Sequence, residues 1–245
     1  QQVLDDCGKL KVVRNYLCDW VLLEGNVTQE EEFTDALIDM LERLYELKSR
    51  PVEVTSWHDS WFGAQSVFVY ETFLYIVAAL IKVGCYKVLN DIYTSNYINP
   101  PTVRNSNFEF DNFSCFFGYS EALQSVLRPN EKLYSPAAEL IHLQADREDI
   151  TFQDLAQSES LTFMMSVLKD VHWYPGTLHY VSHYQRMPFF LRATQHKHFR
   201  KLATVTGIES GNELRDQFKV ALASHGITRS NTFFRMDFSS LMNIE

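Results

Sequence analysis

Val67-Phe68-Val69-Tyr70-Glu71-Thr72-Phe73-Leu74-Tyr75-Ile76-Val77-Ala78-Ala79-Leu80-Ile81-Lys82-Val83 is the most apolar stretch of this 245-residue chain. It falls short of the roughly 20 residues that carry a helix across a bilayer, and Glu71 stands inside it. Its hydrophobicity is nearly continuous, whereas an amphipathic surface helix keeps one polar face. The stretch therefore predicts a core helix buried all round, with no membrane span. Gly84 suits the left-handed residue that ends such a helix, and Tyr86 to Tyr93 continue as a second short helix, completing a hairpin. A carboxylate in this setting needs a partner or a raised pKa. An arginine from the basic segment between His172 and Lys201 is the expected partner of Glu71.

On the N-terminal side, Leu10 to Leu23 predict another helix, closed by Gly25-Asn26. Thr28 followed by Glu31 has the form of a capping box, and Phe33, Leu37, Met40, Leu41, Leu44 and Leu47 recur at helical spacing. Lys48-Ser49-Arg50-Pro51 stops that helix, and the acidic run from Glu30 to Glu46 reads as its solvated face. On the C-terminal side, Asn99-Pro100-Pro101 breaks the hairpin. Phe108, Phe110, Phe113, Phe116 and Phe117 then show little helical period and predict an ordered loop pinned by aromatics. Ser135-Pro136 opens a helix through Leu143, and Thr151 with Asp154 opens one to Leu168, with a break near Ser158. Thr177 to Tyr184 fit strand or helix. Pro188 starts a helix to Val205, and Asn212 caps a last one to Ser224. The fold class is all-α or mainly α: an irregular assembly of about eight to ten helices with one long aromatic-rich loop.

Composition bounds the rest. Nine glycines and seven prolines without a biased run leave no flexible linker, so residues 1–245 read as a single helical domain. The start at Gln1 and the end at Glu245, without a tail signal, point to a fragment of a larger protein. Cys7, Cys18, Cys85 and Cys115 form neither a C-x-x-C pair nor a disulfide framework. Free thiols and a cytoplasmic setting follow, and no secretory leader opens the chain. The net charge of -9 disfavours a general nucleic-acid binder, which carries positive charge over much of its surface.

Against that acidic background, residues 172–201 gather His172, His179, His183, His196 and His198, five of the eight histidines, with Arg186, Arg192, Lys197, Arg200 and Lys201 and no acid. Aromatic residues lie between them: Trp173, Tyr174, Tyr180, Tyr184, Phe189, Phe190 and Phe199. Cations interleaved with rings suit phosphate pairing and base stacking. The segment is the expected binding surface for an anionic ligand, a nucleic acid or an acidic protein face, with His179, His183, Arg186, Arg192, His196 and Arg200 as its contacts. Homo-oligomerisation is a further expectation, the patch docking on the acidic helix of a neighbour.

Catalysis by Arg192 and His198 is the alternative. Their spacing fits the loose R-x(4 to 6)-H pattern of the HEPN ribonucleases, in which His moves the proton and Arg steadies the scissile phosphate. Chance supplies about one such match in a chain of this composition. His179 and His183 share one helical face, yet Tyr180 stands where a zinc-binding helix carries Glu, so no metal is expected. His58-Asp59, between Trp57 and Trp61, reads as a packed loop. No phosphate-cradling glycine motif or nucleophile elbow occurs, and no cofactor is expected.

Tyr70-Glu71-Thr72-Phe73-Leu74-Tyr75, Ser135-Pro136-Ala137-Ala138-Glu139-Leu140-Ile141, Thr151-Phe152-Gln153-Asp154-Leu155, Trp173-Tyr174-Pro175-Gly176-Thr177 and Phe189-Phe190-Leu191-Arg192-Ala193 follow one another in order. In their general texture they resemble the helical regions that follow TIR-type effector domains in bacterial immune proteins. The resemblance spans about residues 70–200 and includes no catalytic motif. It implies a sensing or oligomerising module in antiphage defence, with the catalytic part elsewhere, and it transfers no site residue.

Overall fold

Glu71 and its apolar neighbours form the central helix of the molecule. The structure, a computed structural model, describes residues 2–27, 30–49, 62–99, 109–129, 131–182 and 187–224. Among them are ten α-helices and one two-stranded ladder. The central helix, α3 (Gly63–Val83), is buried without interruption from Val67 to Leu80 and ends at Gly84 with φ 85°. With 21 residues it is long and apolar enough to cross a membrane, yet protein encloses it. Burial, rather than length, sets its role.

α1 (Gln2–Val27) lies along α3 and is longer than the expected Leu10–Leu23. Gly25 sits inside α1 instead of ending it. A Cβ there would come 2.8 Å from Val83 Cγ2, so the bare backbone permits the close approach of the two helices. α2 (Glu30–Glu46) buries Phe33, Leu37, Leu41 and Leu44 and turns its acids outward, while its expected capping residue Thr28 lies outside the described residues. α4 (Tyr86–Thr94) follows Gly84 as expected.

The aromatic-rich stretch is more ordered than a loop. β1 (Tyr97–Asn99) pairs antiparallel with β2 (Glu109–Asp111), Ile98 opposite Phe110, and a 3-10 turn follows at Phe113–Phe116. Tyr45 of α2 donates to Asp111 at 2.6 Å, and Glu42 accepts from the Ile98 N–H at 3.0 Å, holding the ladder to α2. Phe116 stacks on Phe73 at 4.8 Å, while Phe110 is exposed. Phe108 lies outside the described residues, as do Trp57, His58, Asp59 and Trp61.

α5 (Glu121–Leu127) leads to α6 (Pro136–Gln144), whose expected N-cap forms: Ser135 Oγ accepts from the Ala138 N–H at 3.2 Å. α7 (Phe152–Leu168) has the full Thr151–Asp154 capping box and runs unbroken through Ser158. Ser158, Ser160, Thr162 and Ser166 turn their hydroxyls back onto backbone carbonyls. That local bonding lets hydroxyl residues lie inside a buried helix. Residues Gly176–Tyr180 form a 3-10 turn instead of a strand or α-helix. The expected helix from Pro188 to Val205 is two helices, α8 (Pro188–Ala193) and α9 (His196–Thr206), with the bend at Thr194-Gln195. α10 (Gly211–Ser224) begins behind Ser210, whose Oγ accepts from the Glu213 N–H at 3.4 Å, in place of a cap at Asn212. Buried apolar side chains from Cys7 to Phe218 join in one cluster.

Candidate anion-binding groove

α8 and α9 are set by three anchors. Pro188 occupies the first turn of α8, where its missing N–H costs nothing. The next N–H, of Phe189, donates to Gln157 Oε1 on α7 at 2.7 Å. The Phe189 ring stacks on Tyr86 of α4 at 5.9 Å, and Phe190 is buried behind it. α9 buries Leu202 and Val205, and Asn90 of α4 donates to the Val205 carbonyl at 2.8 Å. The two short helices are thereby held over the C-terminal end of α3.

Between them lies a groove of about 510 Å³, with Ala78, Ile81 and Phe189 among its apolar lining and Lys82, Arg192, His198 and Lys201 as its basic groups. Among the described residues, three fixed cations face one carboxylate, Asp154. That acid is committed to the α7 cap, accepting from Thr151 N at 2.9 Å and Thr151 Oγ1 at 2.8 Å. Lys82 donates to the Asp149 carbonyl, and Lys201 lies 5.3 Å above the Tyr86 ring. Among the described residues, Arg192, Lys197 and Arg200 have no ion-pair partner.

The residues expected to bind together are divided. Arg192 and His198, at the end of α8 and the start of α9, line this groove. His196 and Arg200 are one turn apart on another face of α9. They line a second depression of about 580 Å³ with Phe199, Thr204 and Glu209. His179 lines neither. It bonds Tyr174 OH through Nε2 and stacks on Tyr134 at 4.5 Å, and burial lowers its pKa from 6.5. His183 and Arg186 lie outside the described residues. Of the aromatics in the segment, Trp173, Phe189 and Phe190 are core residues, which removes them as stacking platforms. Among the described residues no group of three or more His, Cys, Asp or Glu is placed to hold a metal. Cys7 and Cys18 are free thiols, pushed by burial to about 12 and about 11.

Sequence reasoning missed Lys82, Tyr86, Asp154 and Gln157 as groove residues. They come from α3, α4 and α7, and nothing in their local patterns marks them as neighbours of α8. It also missed Glu159. This fully buried carboxylate accepts from Tyr70 OH, Trp173 Nε1 at 3.2 Å, Thr177 N at 2.7 Å and Thr177 Oγ1. Burial raises its pKa above 4.5, and the Thr177 hydroxyl is the strongest of the bonds opposing that rise. A lone acid within the buried run Leu155–Val167 was the available signal. Glu71 does pair with an arginine, but with Arg14 of α1 instead of the basic segment, because α1 is the helix that packs on that side of α3.

The fold and groove define a mainly helical protein with a cationic cleft at one edge. No protein-family model, curated protein or solved structure matches the chain.

Proposed function

We propose that this chain is a helical sensing or regulatory module that takes a phosphate-bearing ligand in the groove between α3, α4, α7, α8 and α9. The observation that carries the reading is the convergence of Arg192, His198 and Lys201 with Lys82 around a groove whose lining mixes polar groups with Ala78, Ile81 and Phe189. The volume suits a small ligand, since such sites run from about 300 to 1,000 Å³ and combine apolar walls with a few polar groups. Arginine supplies a planar fork for phosphate oxygens. A cytoplasmic setting and a place in a larger antiphage-defence protein belong to the same proposal, supported by the absence of cysteine pairing and by the TIR-associated resemblance.

Titration calorimetry with a nucleoside triphosphate, and separately with a short single-stranded oligonucleotide, tests it. Binding should weaken with salt, and Arg192→Ala with Lys201→Ala should lower affinity at least about tenfold. Arg200→Ala, on the other face of α9, should leave that groove's affinity unchanged. Affinity indifferent to ionic strength would overturn the reading.

A second reading, a metal-independent ribonuclease of HEPN type, is favoured by one observation: Arg192 and His198 line the same groove. RNA digestion by the parent and by His198→Ala decides it, and equal products from both would remove it.

A further inference from the structure

We propose that Gln157 selects the ligand of the α8–α9 groove: a nucleoside phosphate enters base first, a carbonyl or ring nitrogen of the base accepting from Gln157 Nε2 while the phosphates stay with the cations at the mouth. The inference rests on the phosphate-site reading of that groove and gives its ligand a neutral head. The lining is graded in burial. Ala78, Gln157 and Phe189 are 3%, 7% and 9% exposed and form the floor. Lys82, Arg192 and Lys201 are exposed at the mouth, and His198 is half-buried. Two helices give the groove this direction. α7 runs antiparallel to α3, since Tyr70 bonds Glu159 whereas Lys82, at the far end of α3, donates to the Asp149 carbonyl. Gln157, close to Glu159 along α7, therefore lies inward of Lys82. α8 agrees with that order: it starts at Gln157, where the Phe189 N–H is held, and ends at Arg192.

The Gln157 amide has a fixed orientation. The Phe189 N–H donates to its oxygen at 2.7 Å, so Oε1 is committed and Nε2 keeps both of its protons for another partner. Among the described residues Nε2 meets no acceptor, and it is not one of the enclosed polar atoms, so it opens on the groove that Gln157 lines. A buried amide with a free donor calls for an acceptor. Asp154, its neighbour on α7, is already committed to Thr151. The cations at the mouth account for phosphates, but they give no use to an amide beside Ala78 and Phe189. A bare polyphosphate leaves that floor unmatched. The base of a nucleotide brings an apolar face to it and acceptors along its edge.

Titration calorimetry of the whole chain with adenosine, guanosine, cytidine and uridine triphosphates, and with inorganic triphosphate, reads the preference for a base. The tightest nucleotide should bind at least about tenfold more tightly than inorganic triphosphate. Gln157→Met should lower that preference at least about fivefold while changing inorganic triphosphate affinity no more than about twofold. Gln157→Glu keeps an oxygen for the Phe189 N–H and loses the donor; it should lower the preference as well, and it decides the matter if Gln157→Met does not fold. Arg192→Ala should weaken both kinds of ligand alike and leave the preference in place. Inorganic triphosphate binding as tightly as every nucleotide, or a preference that survives the Gln157 variants, would overturn this inference and leave the phosphate site standing. Absence of binding by all five ligands would overturn the site and the inference together.

Discussion

Arg14 and Arg192 are the same residue type in opposite circumstances. Arg14 is fully buried between α1 and α3, bonded to Glu71 and lying 4.1 Å from the Tyr75 ring centroid. Arg192 is exposed at the end of α8 without an ion-pair partner among the described residues. Around Arg14 the interior matches its charges: burial raises the Glu71 pKa, and the guanidinium draws it back. Glu159, nearby in chemistry but without a cation bonded to it among the described residues, is satisfied by four donors instead. The α8–α9 edge leaves cations uncommitted. Removing a charge from the interior should therefore cost stability, and removing one from the edge should cost binding.

The largest effect belongs to Arg14. Arg14→Met should lower unfolding free energy by roughly 3 to 5 kcal/mol, because Glu71 is left buried without its counter-charge. Arg14→Met with Glu71→Leu should recover most of that loss in urea denaturation. Equal losses in the single and double variants would show that packing, and not the uncompensated carboxylate, sets the cost.

Gly25→Ala should destabilise by about 2 kcal/mol, since overpacking costs about 1 to 3 kcal/mol and the gain in helix propensity returns only part. The new methyl meets Val83 Cγ2 at 2.8 Å and Cys85 Sγ at 3.3 Å. Gly25→Ala with Val83→Ala should relieve the clash, leaving a coupling between the two sites that thermal melts of the four proteins resolve.

His179 is smaller in effect and reads out by pH. Burial lowers its native pKa below 6.5. Below pH 6.5 the unfolded chain thus binds a proton that the native state resists. Its contribution to stability is complete above that value and is lost as pH falls toward the native pKa. His179→Phe should flatten this acid-side decline relative to the parent, with the two profiles parallel above neutrality.

The smallest stability effect belongs to the edge. Arg192→Ala and Lys201→Ala should each change unfolding free energy by no more than about 0.5 kcal/mol, while salt-dependent ligand affinity falls. A large loss of stability would place these cations with Arg14.

The outline of the molecule was legible wherever a local rule governs. Ser135 and Thr151 mark helix starts because a side-chain oxygen satisfies an orphan backbone N–H a few residues away. Gly84 marks an end because only a residue lacking Cβ enters the left-handed region without strain. The same local reasoning failed at Gly25, whose use is a contact with Val83 almost 60 residues away. It failed again at Thr194-Gln195, where packing of Phe189 on Tyr86 and Val205 on Asn90 bends a pattern that reads as one helix.

The basic segment shows the same division. Its lack of acids is a property of order along the chain, so Arg192 could be named as a contact in advance and His198 as its partner in catalysis, whereas Lys201 lay in the segment without being among the expected contacts. Helical geometry then separated His196 and Arg200 from them, and an aromatic clamp took His179 away. Sequence alone determined the helical class, the buried helix around Glu71 and the presence of a cationic segment, because these follow from periodicity, capping and composition. Tertiary structure decided which arginine meets Glu71 and which cations share a groove with Lys82 and Tyr86. Those choices depend on packing between residues distant along the chain, and no local pattern encodes them.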